Sequence, residues 1–320
     1  MKKKIIIQSE STDGSTDDVI IWLNYFNQLN NLVTFLDEYA IEQFSMEYSD
    51  DELLVNINGN VFSTSDSYWY RRGEFRFIKL LKSKYKEVNH YLSHSQLRSI
   101  SSILDAPLCK YQLNCYNDNF IEKLQMLNDA RKVGLTIPPT IYTDSLDKVM
   151  DFIHKHTFII TKTTIVPFGT ITLEQTYNFS SGTIKLSMDD LKNMPTHFLP
   201  SIFQKYVEKK YEIRTFFLNG IFYSMAIFSQ MDTTTQVDFR ERTVLPLRKA
   251  PYKLPAEYEE KLSKLMNKYS LKSCSIDTIV TPDHEFYFLE INPIGQFQWL
   301  SKNCNYQIEK KIAQYLKQES

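Results

Sequence analysis

The stretch that most constrains this chain is an apolar strand within residues 285–297, which carries an acid and an amide two positions apart. Side chains alternate across a strand, so Glu290 and Asn292 share one face while Leu289 and Ile291 take the other. A carboxylate and an amide oxygen are ligands that Mg²⁺ accepts. The spacing therefore predicts a cation site. The alternative is a solvent-facing hairpin whose polar residues lie on its wet side.

A second apolar strand, at residues 275–280, precedes the first and contains one acid, Asp277. Between the two strands lies a Pro-Asp-His-Glu turn signal. If that turn is centred between its Asp and its His, Asp277 lies opposite Glu290. The hairpin then places Asp277, Glu290 and Asn292 on one surface, as a site for one or two Mg²⁺ ions.

Composition excludes several other kinds of protein. A net charge of −1 leaves no electrostatic footprint for nucleic acid. With only 8 glycines and no phosphate-loop motif, the chain lacks a nucleotide site of the Walker or dinucleotide type. The 4 cysteines have no metal or redox spacing, so we expect them to be reduced in a cytoplasmic protein. No apolar run approaches membrane-spanning length, and we expect no association with a membrane.

Helical and strand patterns alternate along the rest of the chain. A first helix over residues 19–26 has Asp17 or Asp18 as its expected N-cap. Residues 67–72, aromatic and then basic, are typical of a strand end, with ligand binding as the alternative. A strand over residues 157–162 ends in Lys162. Another helix, over residues 119–133, carries Lys123 on its first turn and an apolar stripe made of Phe120, Leu124, Leu127, Ala130 and Val133.

The strongest hairpin signal is Asn219-Gly220 between two apolar runs, which favours a tight turn. On the first of these strands Glu212 and Arg214 share one face. Asp238 and Arg240 repeat the same spacing further on, and the alternative for them is a surface ion pair that contributes little to stability. Residues 163–183, rich in Thr, Ser and Gly, are predicted to be a mobile segment that closes over a ligand.

Taken together, these strands carry acids and an Asn suited to Mg²⁺, with Lys and Arg suited to phosphate oxygens. That set is what ATP-dependent phosphoryl transfer requires. The most specific segments are Phe288-Leu-Glu-Ile-Asn-Pro293, Asp277, Phe203-Gln-Lys-Tyr-Val207, Glu212-Ile-Arg214 and the run from Lys123 to Pro138. In these residues and in the order of its elements, nearly the whole chain resembles the ATP-grasp fold.

The resemblance implies an α/β (α+β) fold in which ATP is held between two α+β lobes that follow an N-terminal pre-ATP-grasp α/β domain. The implied division is 1–117 for the N-terminal domain, 118–203 for the central lobe with its lid, and 204–320 for the C-terminal lobe with the Mg²⁺ site. The roles implied position by position are Mg²⁺ ligands at Asp277, Glu290 and Asn292; ATP-phosphate contacts at Lys123 and Lys162; an adenine-holding linker at Gln204, Lys205, Tyr206 and Val207; a ribose contact at Glu212; and a contact to phosphate or acyl-phosphate at Arg214.

A narrower resemblance concerns the substrate. Phe228-Ser-Gln230, Asp238-Phe-Arg240 and Pro293-Ile-Gly-Gln-Phe297 resemble segments of the ATP-grasp peptide maturases that make graspetides of the microviridin type, and in particular the grasp-with-spasm group. The resemblance implies that Asp238 and Arg240 handle the acceptor carboxylate of a precursor peptide. Arg248 is a candidate helper, which makes the implied catalytic set Arg214, Asp238, Arg240 and Arg248.

The implied activity is an ATP- and Mg²⁺-dependent ligase. It phosphorylates Glu or Asp side chains of a ribosomal precursor peptide, which has a leader and a core rich in Thr, Ser, Glu and Asp. It then joins them to Thr or Ser hydroxyls, or to Lys amines, as macrocyclic ω-esters or amides. The resemblance also implies a homodimer. The alternatives are an ATP-grasp carboxylate–amine ligase for free amino acids or small molecules, and a non-catalytic binding module that kept the fold.

Overall fold

The chain is built from short strands grouped into separate sheets, with helices packed against them. The computed structural model describes residues 3–48, 52–77, 83–92, 94–95, 109, 111–162, 169–172, 176–179, 183–230 and 247–317. Its α-helices with fully described bounds are α1 (Gly14–Tyr25), α2 (Lys123–Lys132), α3 (Leu146–His156), α4 (Ala256–Lys268), α5 (Gln298–Cys304) and α6 (Ile308–Lys317), and residues 86–92 and 94–95 are helical as well. Short 3-10 turns lie at Leu29–Asn31, Tyr116–Phe120 and Asp190–Asn193. Within these ranges no helix has the length and apolar character needed to cross a membrane.

The N-terminal strands are β1 (Ile5–Ser9), β2 (Leu32–Leu36), β3 (Glu38–Ile41), β4 (Phe44–Tyr48), β5 (Leu53–Ile57), β6 (Asn60–Ser63), β7 (Ser67–Tyr70), β8 (Glu74–Phe77) and β9 (Tyr111–Leu113). A parallel sheet has the order β2-β1-β7-β9. Helix α1 begins earlier than the sequence predicts, because Asp13, rather than Asp17 or Asp18, accepts hydrogen bonds from the first free N–H groups.

The central strands are β10 (Thr140–Ser145), β11 (Ile159–Lys162), β12 (Gly169–Thr172), β13 (Thr176–Phe179), β14 (Thr183–Leu186) and β15 (His197–Lys205). Four of them form an antiparallel sheet in the order β10-β15-β11-β14. Helix α3 packs on this sheet through Val149 and Ile153, which lie in one core with Ile159 and Phe203. Strands β12 and β13 pair with each other inside the predicted lid, most of which lies outside the described residues.

The C-terminal strands are β16 (Tyr211–Leu218), β17 (Ile221–Phe228), β18 (Arg248–Tyr252), β19 (Ser273–Val280) and β20 (Phe286–Asn292). They form an antiparallel sheet in the order β18-β17-β16-β19-β20. The tight turn predicted at Asn219-Gly220 is confirmed, with φ angles of 43° and 91° at its two residues.

One face of this C-terminal sheet is covered by α2 and α4. Met126 and Leu127 of α2 lie in one core with Leu265 of α4 and Phe288 of β20. Each large apolar side chain buried in this way contributes about 1.5–3 kcal/mol. The predicted helix at residues 119–133 starts later, at Lys123, and its stripe is only partly buried, since Phe120 is 62% exposed.

The other face of the C-terminal sheet packs against the N-terminal part of the chain. Ile5 of β1 and Val19 of α1 share a core with Leu300 of α5, Ile312 of α6 and Ile227 of β17. The division at residues 117 and 203 stays a prediction. Hydrophobic contacts cross both of its boundaries, because α2 packs with the C-terminal sheet and α1 packs with α6.

Candidate functional site

The β19–β20 hairpin carries the three predicted metal ligands. Asp277 pairs with Glu290, as the sequence predicts, and Ser275 pairs with Asn292. The predicted turn centre is nevertheless wrong. Nearer the turn Thr278 pairs with Phe288, which moves the centre onto Asp283, and a bulge at Leu289 restores the register.

The bulge also changes which side chains face the core. Phe288 and Ile291, rather than Leu289 and Ile291, lie in the core beneath the sheet, so the strict alternation expected for Leu289 is wrong. Glu290 and Asn292 keep the opposite face from Ile291. The extra residue therefore leaves the acid and the amide where the sequence puts them.

Arg214 lies directly opposite Asp277 on the neighbouring strand β16. Its Nη1 atom donates to both carboxylate oxygens of Asp277, at 2.8 and 2.7 Å, and both side chains are largely buried. The Arg214 Nε atom is buried and has no hydrogen-bond partner within the described part of the chain. An unsatisfied buried donor costs about 1–3 kcal/mol, so this edge of the guanidinium favours an additional acceptor such as a phosphate oxygen.

Lys162 brings the central sheet to the same place. It is the last residue of β11, and its Nζ lies 3.9 Å from the Oε2 atom of Glu290, across the gap between the central and C-terminal sheets. Arg214, Asp277, Glu290 and Lys162 thus form a row in which two acids lie between two cations. When a divalent ion binds the two acids, the two cations can exchange their carboxylate partners for phosphate oxygens.

Glu212 shares the strand face of Arg214, and it is buried. Lys209 Nζ and Ser229 Oγ both donate to its Oε1 atom, the latter at 3.1 Å. Burial raises the pKa of Glu212, while the ammonium of Lys209 opposes that rise. Sequence reasoning missed Lys209 and Ser229, because nothing in the sequence distinguishes Lys209 from its neighbour Lys210.

The predicted adenine linker occupies the end of β15 and the residues after it. Gln204 is buried and its Nε2 donates to Thr140 Oγ1 at 2.9 Å. The N–H groups of Lys205 and Tyr206 donate to the carbonyls of Pro139 and Phe158, at 2.9 and 3.0 Å. Any contact that Lys205 or Tyr206 makes to a base therefore uses atoms other than these N–H groups. Val207, also predicted for the linker, is buried.

The remaining predicted residues are placed differently. Lys123 is the first residue of α2, and this helix packs on β20, where the Ile291 N–H donates to Met126 Sδ at 3.1 Å. Arg248 begins the edge strand β18, which β17 and β16 separate from β19, and its guanidinium stacks over Phe228. Arg248 is therefore not brought to the charged row. Asp238 and Arg240 lie outside the described residues.

The residues after Asn292 are held by the N-terminal part of the chain. Arg71, which follows β7, donates to the carbonyl of Ile294 at 2.9 Å, and Asn114 donates to the carbonyl of Pro293 at 2.7 Å. Gly295 packs directly on Ser275. The strand-end reading of residues 67–72 is confirmed, but Arg71 has this anchoring function that the sequence did not reveal.

A cavity of about 740 Å³ opens beside Asn292. Ile294 also lines it, and its other walls come from residues 10–120 and include Glu10, Tyr70, Arg72 and Glu74. Across the described ranges no three His, Cys, Asp or Glu side chains converge on one point. A cation at the hairpin would therefore use two carboxylates and the Asn292 amide oxygen, which is an acceptable donor set for Mg²⁺.

Comparison with known proteins identifies the fold. No protein-family model matches the chain, and no curated protein matches it. Among solved structures, the macrocyclase MdnC bound with precursor peptide MdnA, from Microcystis aeruginosa MRC, is 24% identical with a TM-score of 0.75, covering 98% of this chain and 99% of that one. A Chryseobacterium gregarium RiPP-associated ATP-grasp ligase, in complex with ADP and a leader and core peptide, is 24% identical with a TM-score of 0.78, covering 98% and 96%. The ATP-grasp ligase PsnB, complexed with minimal precursor, Mg and ADP, is 17% identical with a TM-score of 0.71, covering 99% and 98%. The chain therefore has the α+β ATP-grasp fold that its sequence resembles.

Proposed function

We propose that this protein is an ATP- and Mg²⁺-dependent ligase that cross-links side chains within a ribosomally made precursor peptide. The observation that carries the proposal is the row formed by Arg214, Asp277, Glu290 and Lys162, in which β11 of the central sheet meets the C-terminal hairpin. In an ATP-grasp fold this is equipment for transferring a phosphoryl group to a carboxylate.

The choice of a peptide substrate is supported by the relatives. The solved proteins that align over nearly the whole chain include a macrocyclase bound with its precursor peptide and a ligase in complex with a leader and core peptide. We expect the substrate of this chain to be a precursor whose core is rich in Thr, Ser, Glu and Asp. The cavity beside Asn292 is a candidate for the space in which its side chains react.

Each candidate site residue has its own proposed role. Asp277, Glu290 and Asn292 would hold Mg²⁺, which offsets the negative charge of the phosphates when it is bound. Arg214 and Lys162 would then pair with phosphate oxygens in place of the acids. Lys123 would contact the phosphates from α2, the linker from Gln204 to Val207 would hold adenine, and Glu212 would accept hydrogen bonds from the ribose.

The chemistry on the peptide requires activation of a poor electrophile. Transfer of the γ-phosphoryl group to a Glu or Asp side chain gives an acyl-phosphate. A Thr or Ser hydroxyl, or a Lys amine, then attacks the acyl carbon and phosphate leaves.

We propose that Asp238 and Arg240 handle the acceptor carboxylate, with Arg248 as a helper. We further propose a cytoplasmic homodimer with the three-part division at residues 117 and 203. Light scattering on the purified chain tests the dimer.

The test is the mass of the product. The full chain is incubated with ATP, Mg²⁺ and a synthetic, candidate Thr/Glu-rich precursor peptide. The proposal predicts the loss of one water per ring together with release of ADP. A mass gain equal to an added amino acid would instead identify a ligase for free amino acids. The absence of ADP release would identify a non-catalytic binding module.

A further inference from the structure

One buried cation near the candidate site has no part in the roles proposed above. Lys209 lies in the connection between β15 and β16 and is 4% exposed. Its ammonium is bonded to Glu212 Oε1, which also accepts a hydrogen bond from Ser229 Oγ at 3.1 Å. Burying an ammonium and a carboxylate costs free energy unless each satisfies the other, so such a pair is weak evidence for stability alone.

Lys210 provides the natural contrast. It is the next residue and the same residue type, yet it is exposed, and its Nζ lies 3.2 Å from the ring of His284. Burial of Lys209 is therefore a specific placement of the chain at the start of β16. The placement directs the ammonium inward, toward the strand face that carries Glu212 and Arg214.

The two carboxylate oxygens of Glu212 differ in the hydrogen bonds that they accept. Both donors within the described part of the chain act on Oε1, and none of the described residues donates to Oε2. A carboxylate fixed through one oxygen presents the other in a defined direction.

We propose that Lys209 is a positioning residue that fixes Glu212 so that its Oε2 atom accepts hydrogen bonds from the ribose hydroxyls, and that Lys209 thereby makes the site selective for ribonucleotides over deoxyribonucleotides. The inference rests on the proposed function, which places the ribose at Glu212. It goes further by naming the group that holds Glu212 in place and the nucleotide class that this arrangement rejects.

The chemistry of the pair supports this role. Burial raises the pKa of Glu212, and the charge of Lys209 opposes that rise, so loss of the ammonium favours a neutral carboxyl group. A hydrogen bond to a charged acceptor is roughly twice as strong as one between neutral groups. Removing a ribose hydroxyl therefore weakens binding most when Glu212 is ionised and fixed.

The test measures binding of nucleotide to the full chain, with Mg²⁺ present, by titration calorimetry. The probes are ATP, 2′-deoxy-ATP and 3′-deoxy-ATP, and no peptide is required. The wild-type protein is expected to bind ATP about tenfold more tightly than at least one of the deoxynucleotides. Lys209→Met is expected to reduce that preference to about twofold or less, mainly by weakening ATP. Lys210→Met is the matched control and is expected to leave it unchanged.

Two further variants separate positioning from folding. Lys209→Arg keeps the charge and is expected to restore part of the preference. Ser229→Ala removes the second, neutral donor and is expected to lower the preference severalfold, which keeps the inference testable if Lys209→Met does not fold. An unchanged preference in a folded Lys209→Met protein, or in Ser229→Ala if that protein is the one that folds, would overturn the inference. No preference in the wild-type protein would also overturn it. Failure of the wild-type chain to bind any nucleotide would instead refute the proposed function.

Discussion

Gly295 offers the sharpest test of how the end of the β19–β20 hairpin is held. A Cβ atom at this position would lie 2.1 Å from both Cβ and Oγ of Ser275, and 2.9 Å from the Asn292 carbonyl oxygen. Restoring an ordinary contact of 3.4 Å to Ser275 needs a shift of about 1.3 Å. Ser275 is itself 1% exposed in strand β19, so it has little room to move. Overpacking of this kind costs about 1–3 kcal/mol, and we expect Gly295→Ala to lie at the upper end, about 3 kcal/mol.

The assay is urea unfolding, monitored by tryptophan fluorescence, for the members of a double-mutant cycle. Ser275→Gly removes both clashing atoms, and on its own it costs about 1–2 kcal/mol through chain entropy and its lost hydrogen bond to the Gln296 carbonyl. Adding Gly295→Ala to Ser275→Gly should therefore cost less than about 1 kcal/mol. Gly14→Ala is the control, because its nearest neighbour is a side-chain atom at 3.7 Å and the position opens a helix. Strict additivity of the two substitutions would refute the steric argument.

Three further predictions concern stability. Arg71→Met should cost about 3 kcal/mol in urea unfolding, because Arg71 is 4% exposed and links Asp13 to the Ile294 carbonyl, whereas Arg72→Met, at 34% exposure, should cost less than about 1 kcal/mol. Burial tends to raise the pKa of Asp13, but the charge of Arg71 and the hydrogen bonds from Ser15 outweigh it, so its folded-state pKa lies below the ordinary value of 3.8. Its contribution is then present above that value and lost as the pH falls through the folded-state pKa, so Asp13→Asn should lose less stability than wild type between about pH 5 and pH 3 in unfolding measurements. Met126→Ala, which removes a side chain 2% exposed beneath β20, should cost about 2–5 kcal/mol, while Leu124→Ala on the same helix, at 37% exposure, should cost less than about 0.5 kcal/mol, and equal effects would contradict the packing of α2 on the C-terminal sheet.

Local sequence patterns predict the C-terminal sheet well. The Asn219-Gly220 turn and the pairing of Asp277 with Glu290 follow from turn chemistry and from the two-residue period of strands, and both are confirmed. The bulge at Leu289 could not be predicted, because no Gly or Pro marks it. It arises where the ladder must reconcile a turn centred on Asp283 with the two core residues Phe288 and Ile291.

Contacts between segments that are distant along the chain could not be predicted from the sequence. The stripe on α2 indicates that one face is buried, but a stripe does not say which sheet buries it, and the C-terminal sheet does. Arg71 and Lys209 each have a residue of the same type next to them in the sequence, so the sequence does not single them out. Only the fold shows that Arg71 anchors the loop after Asn292 and that Lys209 is buried against Glu212. Arg248 was predicted to be at the site, but the fold places it on an edge strand, away from the charged row.

The central claim is that the hairpin acids hold Mg²⁺ for phosphoryl transfer from ATP. The most direct measurement is the rate of ADP release at saturating ATP and precursor peptide, as Mg²⁺ is titrated, for Glu290→Gln and for Glu285→Gln. Glu290 faces Asp277 and lies 3.9 Å from Lys162, whereas Glu285 is exposed at the turn of the same hairpin. We predict that Glu290→Gln lowers the rate by about 100-fold or more and raises the Mg²⁺ requirement, while Glu285→Gln leaves both unchanged. Equal rates for the two variants would contradict the assignment of the hairpin as the metal site.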